Sequence, residues 1–127
     1  MEAVVRLDTH IVVWLYAGSI DRLSKSAADA INSNDLVISA IVELELTYLF
    51  EIGRLTVSGP AIVADLRDRI GLSVSDISMP AVIRSAGALS WTRDPFDRII
   101  VGDAIAANTQ LVTKDQQILD NTPLALW

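Results

Sequence analysis

Thr92-Arg-Asp-Pro-Phe-Asp-Arg-Ile-Ile-Val-Gly-Asp103 sets two acids, Asp94 and Asp97, on either side of a proline that opens an otherwise apolar helix. Proline suits the first turn because its missing N–H would have no partner there. The helix runs from Phe96 to Asn108 and is followed by a short apolar strand, Leu111-Val112-Thr113, with Asp115 just beyond it. A short helix from Asp115 to Leu119 and a last strand near Leu124-Ala-Leu126 complete the unit. Helix, short apolar strand, acid, helix is the order that decides the fold class.

The same order appears at the other end of the chain. Val4 to Leu7 reads as a buried strand ending at Asp8, and Asp8 or Thr9 caps an apolar helix from Ile11 to Tyr16 that stops near Gly18. A more polar helix, Ser24 to Asn32, leads through Asn34-Asp35 to the strand Leu36-Val37-Ile38. Ser39 caps a long helix closed by Gly53, Pro60 opens a helix to Ile70, Leu72 to Asp76 is a strand, and Pro80 opens a helix to about Ala88. Short apolar strands alternating with helices predict an α/β fold of three layers, with a short, mostly parallel central sheet and helices on both faces. No linker, repeat or low-complexity segment divides it, so residues 1–127 are expected to form a single domain.

Composition narrows the function classes. Hydrophobic residues make up 51% of the chain, a globular level, yet no apolar run is long enough to span a bilayer. Met1 to Arg6 lacks a basic region ahead of an apolar one, so no signal peptide and no membrane are expected, and the cytoplasm is the expected location. Without cysteine there is no disulfide framework and no thiolate-bound metal. A net charge of −6 argues against a broad nucleic-acid-binding surface. Arg93, Arg98 and Lys114, each near one of the acids, leave room for a local basic rim.

Each candidate acid has a structural alternative. Asp8 and Asp115 follow strands and precede helices, where N-capping is the ordinary role, but in parallel sheets sites also form beyond the carboxyl ends of strands. Glu45 has Ile41, Val42, Tyr48 and Leu49 three and four positions away, an apolar face on which an unpaired carboxylate would be costly. Glu43 has the milder neighbours Ser39, Ala40, Leu46 and Thr47. Asp97 shares its face with Ile100, Val101 and Ala104, while Asp103 lies about 120° around the helix and is expected to be peripheral. Asp94 is favoured as a cap over a direct ligand. His10, the lone histidine, has no serine nucleophile motif beside it and reads as structural or surface, and Trp14, Trp91 and Trp127 read as core or interface aromatics. An all-oxygen set of carboxylates suits a hard divalent cation such as magnesium or manganese, used to activate water against phosphodiesters.

Taken in order, Leu7-Asp8-Thr9-His10 with Trp14, Ile38-Ser39-Ala40-Ile41 leading to Glu45, Gly53-Arg54-Leu55, Arg93 to Val101 and Leu111-Val-Thr-Lys-Asp115 resemble the PIN-domain family, specifically VapC-type toxins of type II toxin–antitoxin systems. The resemblance implies a PIN-like fold and a Mg²⁺-dependent endoribonuclease, with Mn²⁺ a possible substitute. It makes Asp8, Glu45, Asp97 and Asp115 an acidic quartet that is both catalytic and metal-binding, with Thr113 and Asp94 as auxiliaries. Asp8, Asp97 and Asp115 would hold the metal directly or through water, and Glu45 would ligate a second metal or orient the attacking water. An RNA substrate, a homodimer and a cognate VapB-type antitoxin are also implied, with DNA contacted only through the antitoxin. This chain departs from many relatives at Thr92, where histidine is common, and at Glu43, where an apolar residue is. The competing readings are a phosphoacceptor, receiver-like signalling domain, which would need an acid pair after the first strand, and a PIN-like scaffold that binds without catalysis.

Overall fold

The structure, a computed structural model, describes residues 3–127; Met1 and Glu2, part of the N-terminal stretch in which no signal peptide is expected, lie outside the described residues. Strands β1 (Val4–Leu7), β2 (Asp35–Ile38), β3 (Ser73–Val74), β4 (Leu111–Val112) and β5 (Ala125–Leu126) form one sheet in the order β3-β2-β1-β4-β5, and every pairing is parallel. The helices are α1 (Thr9–Ala17), α2 (Lys25–Ser33), α3 (Ala40–Glu51), α4 (Gly59–Ile70), α5 (Met79–Gly87), α6 (Pro95–Ala107) and α7 (Gln116–Asn121). This is the three-layer α/β arrangement expected, with the sheet parallel throughout. Right-handed crossovers put the connections from β1 to β3 on one face and those from β3 to β5 on the other. A receiver-like domain orders its strands 2-1-3-4-5, so the present order excludes that reading.

The elements follow from local signals. Val5, Leu7, Leu36, Ile38, Leu111 and Val112 are buried, as strands covered on both faces must be. Serines 24, 39 and 78 cap α2, α3 and α5 through their hydroxyls, and Gly18 and Gly71 close α1 and α4 in the left-handed conformation. Asp8, Asp94 and Asp115 cap α1, α6 and α7. At Gly102 a Cβ atom would lie 2.9 Å from both the Ala86 Cβ and the Val82 carbonyl oxygen, so its absence lets α6 press against α5.

Boundaries moved where sequence signals were weak. The strand expected over Leu72 to Asp76 is only Ser73–Val74, because it pairs on one side alone as an edge strand. Thr113 falls just past β4, although its amide still donates to the Leu126 carbonyl at 3.1 Å. A 3₁₀ turn at Ile20–Arg22 carried no advance signal. No helix among the described residues is long and apolar enough to cross a membrane.

From β1 the chain steps outward to β2 and β3, then returns to lay β4 against the other side of β1. The carboxyl ends of β1 and β4 therefore flank the point where strand order reverses, the place where open parallel sheets form their crevice. Asp8 follows β1 and Thr113 follows β4.

Candidate active site

The crevice is closed at its floor by one hydrogen bond. Thr113 Oγ1 donates to Asp8 Oδ2 at 2.7 Å, joining residues 105 positions apart, and the Thr9 amide donates to Asp8 Oδ1 at 2.7 Å. Asp8 is 6% exposed, so burial raises its pKa, opposed by these two bonds and the nearby His10 and reinforced by Asp115. Thr113 also accepts the Asp115 amide at 3.0 Å through the same hydroxyl, which fixes the turn that carries Asp115. A single threonine thus sets the positions of two acids.

Glu45 enters from α3 and is half-buried. The buried Thr9 hydroxyl donates to Glu45 Oε1 at 2.5 Å, tying α3 to the start of α1. Burial raises the Glu45 pKa first, the Thr9 bond lowers it, and the charges of Asp8 and Asp94 raise it again. The apolar face expected around Glu45 is only partly core. Val42 and Leu46 are fully buried, whereas Tyr48 is 46% exposed and stacks on Phe96 at 5.9 Å between ring centroids. Glu45 therefore stands at the edge of the core, where a carboxylate can reach the crevice.

Asp94 and Asp97 come from the start of α6. Asp94 Oδ1 accepts the Phe96 and Asp97 amides at 2.8 and 3.4 Å, the capping role favoured for it. The half-buried Asp97 is strongly perturbed: burial, then the charges of Asp94, Asp8, Asp115 and Glu45, push its pKa up to about 7. Four other acids, from the ends of β1 and β4 and from α3 and the α6 cap, thus act electrostatically on one carboxyl. Asp115 is exposed and caps α7 by accepting the Ile118 amide at 3.1 Å. An open cleft of about 310 Å³ is lined by Asp8, His10, Trp14, Lys114 and Asp115, which puts the lone histidine at the site's rim.

The neighbouring basic residues do not neutralise these acids. Arg98 donates to the carbonyls of Ala86 and Gly87 at the end of α5, and Arg93 donates to the Ser90 carbonyl. Among the described residues, no three acidic or imidazole groups are already gathered at metal-ligand spacing. An oxygen-only donor set whose central carboxyl has its pKa raised by burial and by the negative charges around it fits a hard divalent cation, which would offset that repulsion.

Two features escaped the sequence. From sequence Thr9 reads only as a cap, yet its hydroxyl holds Glu45, and a threonine directly after a strand-end acid is the available signal. Asp103, expected to be peripheral, stands apart from the crevice but is 2% exposed and bonded to Arg6 Nε at 2.6 Å. Ser75 adds a bond to Asp103 Oδ1 at 2.7 Å. A charged Arg6 inside an apolar strand was the hint that a buried partner was needed.

Known proteins share both the sequence pattern and the fold. A family model described as PIN domain matches residues 5–123. Ribonuclease VapC22 of Mycobacterium tuberculosis is 32% identical over 130 residues, covering 97% of this chain and 98% of the relative. Among solved structures, VapBC2 from Rickettsia felis bound to a DNA fragment from its promoter matches with a TM-score of 0.70 at 22% identity, over 97% of this chain and 96% of that one. A toxin–antitoxin complex from Klebsiella pneumoniae matches with a TM-score of 0.66 at 17% identity, again over 97% and 96%. At such identities these two structures speak for the fold.

Proposed function

Because the chain belongs to the PIN-domain family, we propose that it is a Mg²⁺-dependent endoribonuclease, the toxin of a type II toxin–antitoxin pair. The observation that carries this reading is the placing of Asp94, Asp8, Asp115 and Glu45 near enough to Asp97 for their charges to add to burial in pushing its pKa up to about 7. The name of the 32% identical relative, a ribonuclease, supports the reaction, and the complexes found among the solved structures support the partnership.

Asp8, Asp97 and Asp115 would hold the cation, directly or through water. When bound, it would supply positive charge to the phosphoryl oxygens and make a nearby water easier to deprotonate. The chain's own residues do the rest. Thr113 aims Asp8 by occupying one lone pair of Oδ2, and each Asp8 oxygen keeps a further lone pair for ligation. Thr9 holds Glu45 by Oε1, which leaves Oε2 to orient the attacking water and accept its proton. The raised Glu45 pKa favours that acceptance.

The whole chain, residues 1–127, would act as one such domain on cytoplasmic RNA. Leu44, Tyr48 and Ile52, spaced four apart, are 56, 46 and 49% exposed, an apolar ridge that a homodimer would bury. A cognate VapB-type antitoxin would cover the acidic crevice, and DNA would be met only through it.

The test is direct. The purified chain, free of antitoxin, should cut RNA in Mg²⁺ or Mn²⁺ and stop in chelator. Asp97→Asn keeps the shape and loses the charge, so it should abolish cutting, as should Asp8→Asn. Undiminished cutting by both variants, in preparations free of contaminating nuclease, would overturn the reading.

A further inference from the structure

The cleft is acidic, and RNA is an anion. A site of this kind needs a fixed positive charge at its rim to hold the strand, and most nearby cations are engaged elsewhere. Arg6 is locked to Asp103, Arg98 to α5 carbonyls and Arg93 to the Ser90 carbonyl. Lys114 differs. It lies between Thr113 and Asp115 and lines the cleft with Asp8, yet it forms no ion pair among the described residues. Its ammonium stands 5.9 Å from the centre of the Trp14 ring and 5.8 Å from that of Trp127.

Those rings are themselves well placed. β5 pairs beside β4 and brings the following Trp127 next to α1, where its ring centroid lies 6.1 Å from that of Trp14 at 60°. Arg22 adds a second cation over Trp14 at 5.8 Å. Indole faces attract an ammonium through the ring quadrupole without consuming its N–H donors. The lysine stem is thereby confined, and three donors stay free to meet an anion.

We propose that Lys114, held by Trp14 and Trp127, is the phosphate-positioning residue of the cleft, binding an RNA phosphate that flanks the one cleaved. The inference rests on the ribonuclease reading above and adds how the substrate is held. Two features favour phosphate over a purely structural role: the charge has no ion-pair partner among the described residues, and it opens into the same cleft as Asp8 and Asp115. A lysine serving packing alone would need only its stem.

Lys114→Met keeps the apolar stem against the indoles and removes the charge. Cleavage of a short single-stranded RNA by the full chain in Mg²⁺, followed over RNA and KCl concentration, should show KM raised about tenfold, the loss falling mainly on KM rather than kcat. The slope of log affinity against log salt should shrink by about 0.7, the value for one phosphate contact on a single strand. Lys114→Arg should recover most of the affinity, and the melting temperature of both variants should match wild type. Wild-type KM and salt slope in Lys114→Met, while wild type cuts normally, would overturn the Lys114 assignment alone. A wild-type chain that cuts no RNA would overturn the ribonuclease reading and this inference with it.

Discussion

The same two elements, β1 and α6, carry two polar clusters of opposite character. Arg6 and Asp103 form a closed one: both are buried, bonded at 2.6 Å, and completed by Ser75 and Thr109, to which Arg6 donates at 3.2 and 2.6 Å. Asp8 and Asp97, two residues later on the strand side and six earlier on the helix, belong to an open one. There the charges of Asp94, Asp8, Asp115 and Glu45 add to burial at Asp97, whose pKa rises to about 7. The closed cluster satisfies the cost of burying charge within the chain. The open one leaves that cost unmet, as the proposed cation and anionic substrate would require.

Breaking the closed cluster should have the largest effect on stability. Arg6→Met strands the buried Asp103 carboxylate with only Ser75, and removal of one partner of such a pair typically costs about 3–5 kcal/mol. Denaturant melts would show it as a lower midpoint with an unchanged slope. A loss below about 1 kcal/mol would mean that Arg6 and Asp103 are held no more tightly than a surface pair.

Within the open cluster, Glu45 and Glu43 provide a sharper contrast. Both lie on α3, but only Glu45 is tied to Thr9 and coupled to Asp8 and Asp94. Glu45→Gln should lower cleavage by about a hundredfold or more, in the range of a lost proton acceptor, and Glu43→Gln should change it little. A reversed ranking in matched kinetic assays would contradict the assignment of Glu45, rather than Glu43, to the crevice side of α3.

A smaller effect distinguishes the clusters by pH. Asp97 is raised from an ordinary carboxyl value near 4 to about 7, so the folded state binds its proton more tightly than the unfolded chain does. The destabilising contribution is therefore absent below about pH 4, grows between 4 and 7, and is complete above 7. Asp97→Asn lacks it. Without metal, the variant should be more stable than wild type at pH 8 by about 1 kcal/mol, allowing for solvent screening of a half-exposed group, and should lose that advantage by pH 4. An advantage that grows on acidification would reverse the assigned cause.

Much of this arrangement is written locally. Prolines 60, 80 and 95, the serine caps and the short apolar strands mark the elements, and the strand-end positions of Asp8 and Asp115 place them at the switch point once the sheet is parallel. Helical phasing brought Glu45 and Asp97 to the crevice side, although Tyr48, counted with the apolar face, is largely exposed. What stayed hidden depends on distant contacts. Arg6 meets Asp103 across 97 positions, Thr113 meets Asp8 across 105, and Trp127 reaches Trp14 only because β5 pairs with β4. No periodicity within one segment encodes such meetings. They follow from strand order.

The open acids are proposed to form one cation site. Thermal melts of metal-free wild type and Asp97→Asn at pH 8, with and without Mg²⁺, test it most directly. A cation that binds only the folded state adds about 2.7 kcal/mol at a hundredfold excess over its dissociation constant. Wild type should gain on that order, raising its melting temperature by several degrees, and Asp97→Asn should gain clearly less. If wild type gains no more from Mg²⁺ than Asp97→Asn does, the acids do not share a cation, and the crevice is not a metal site.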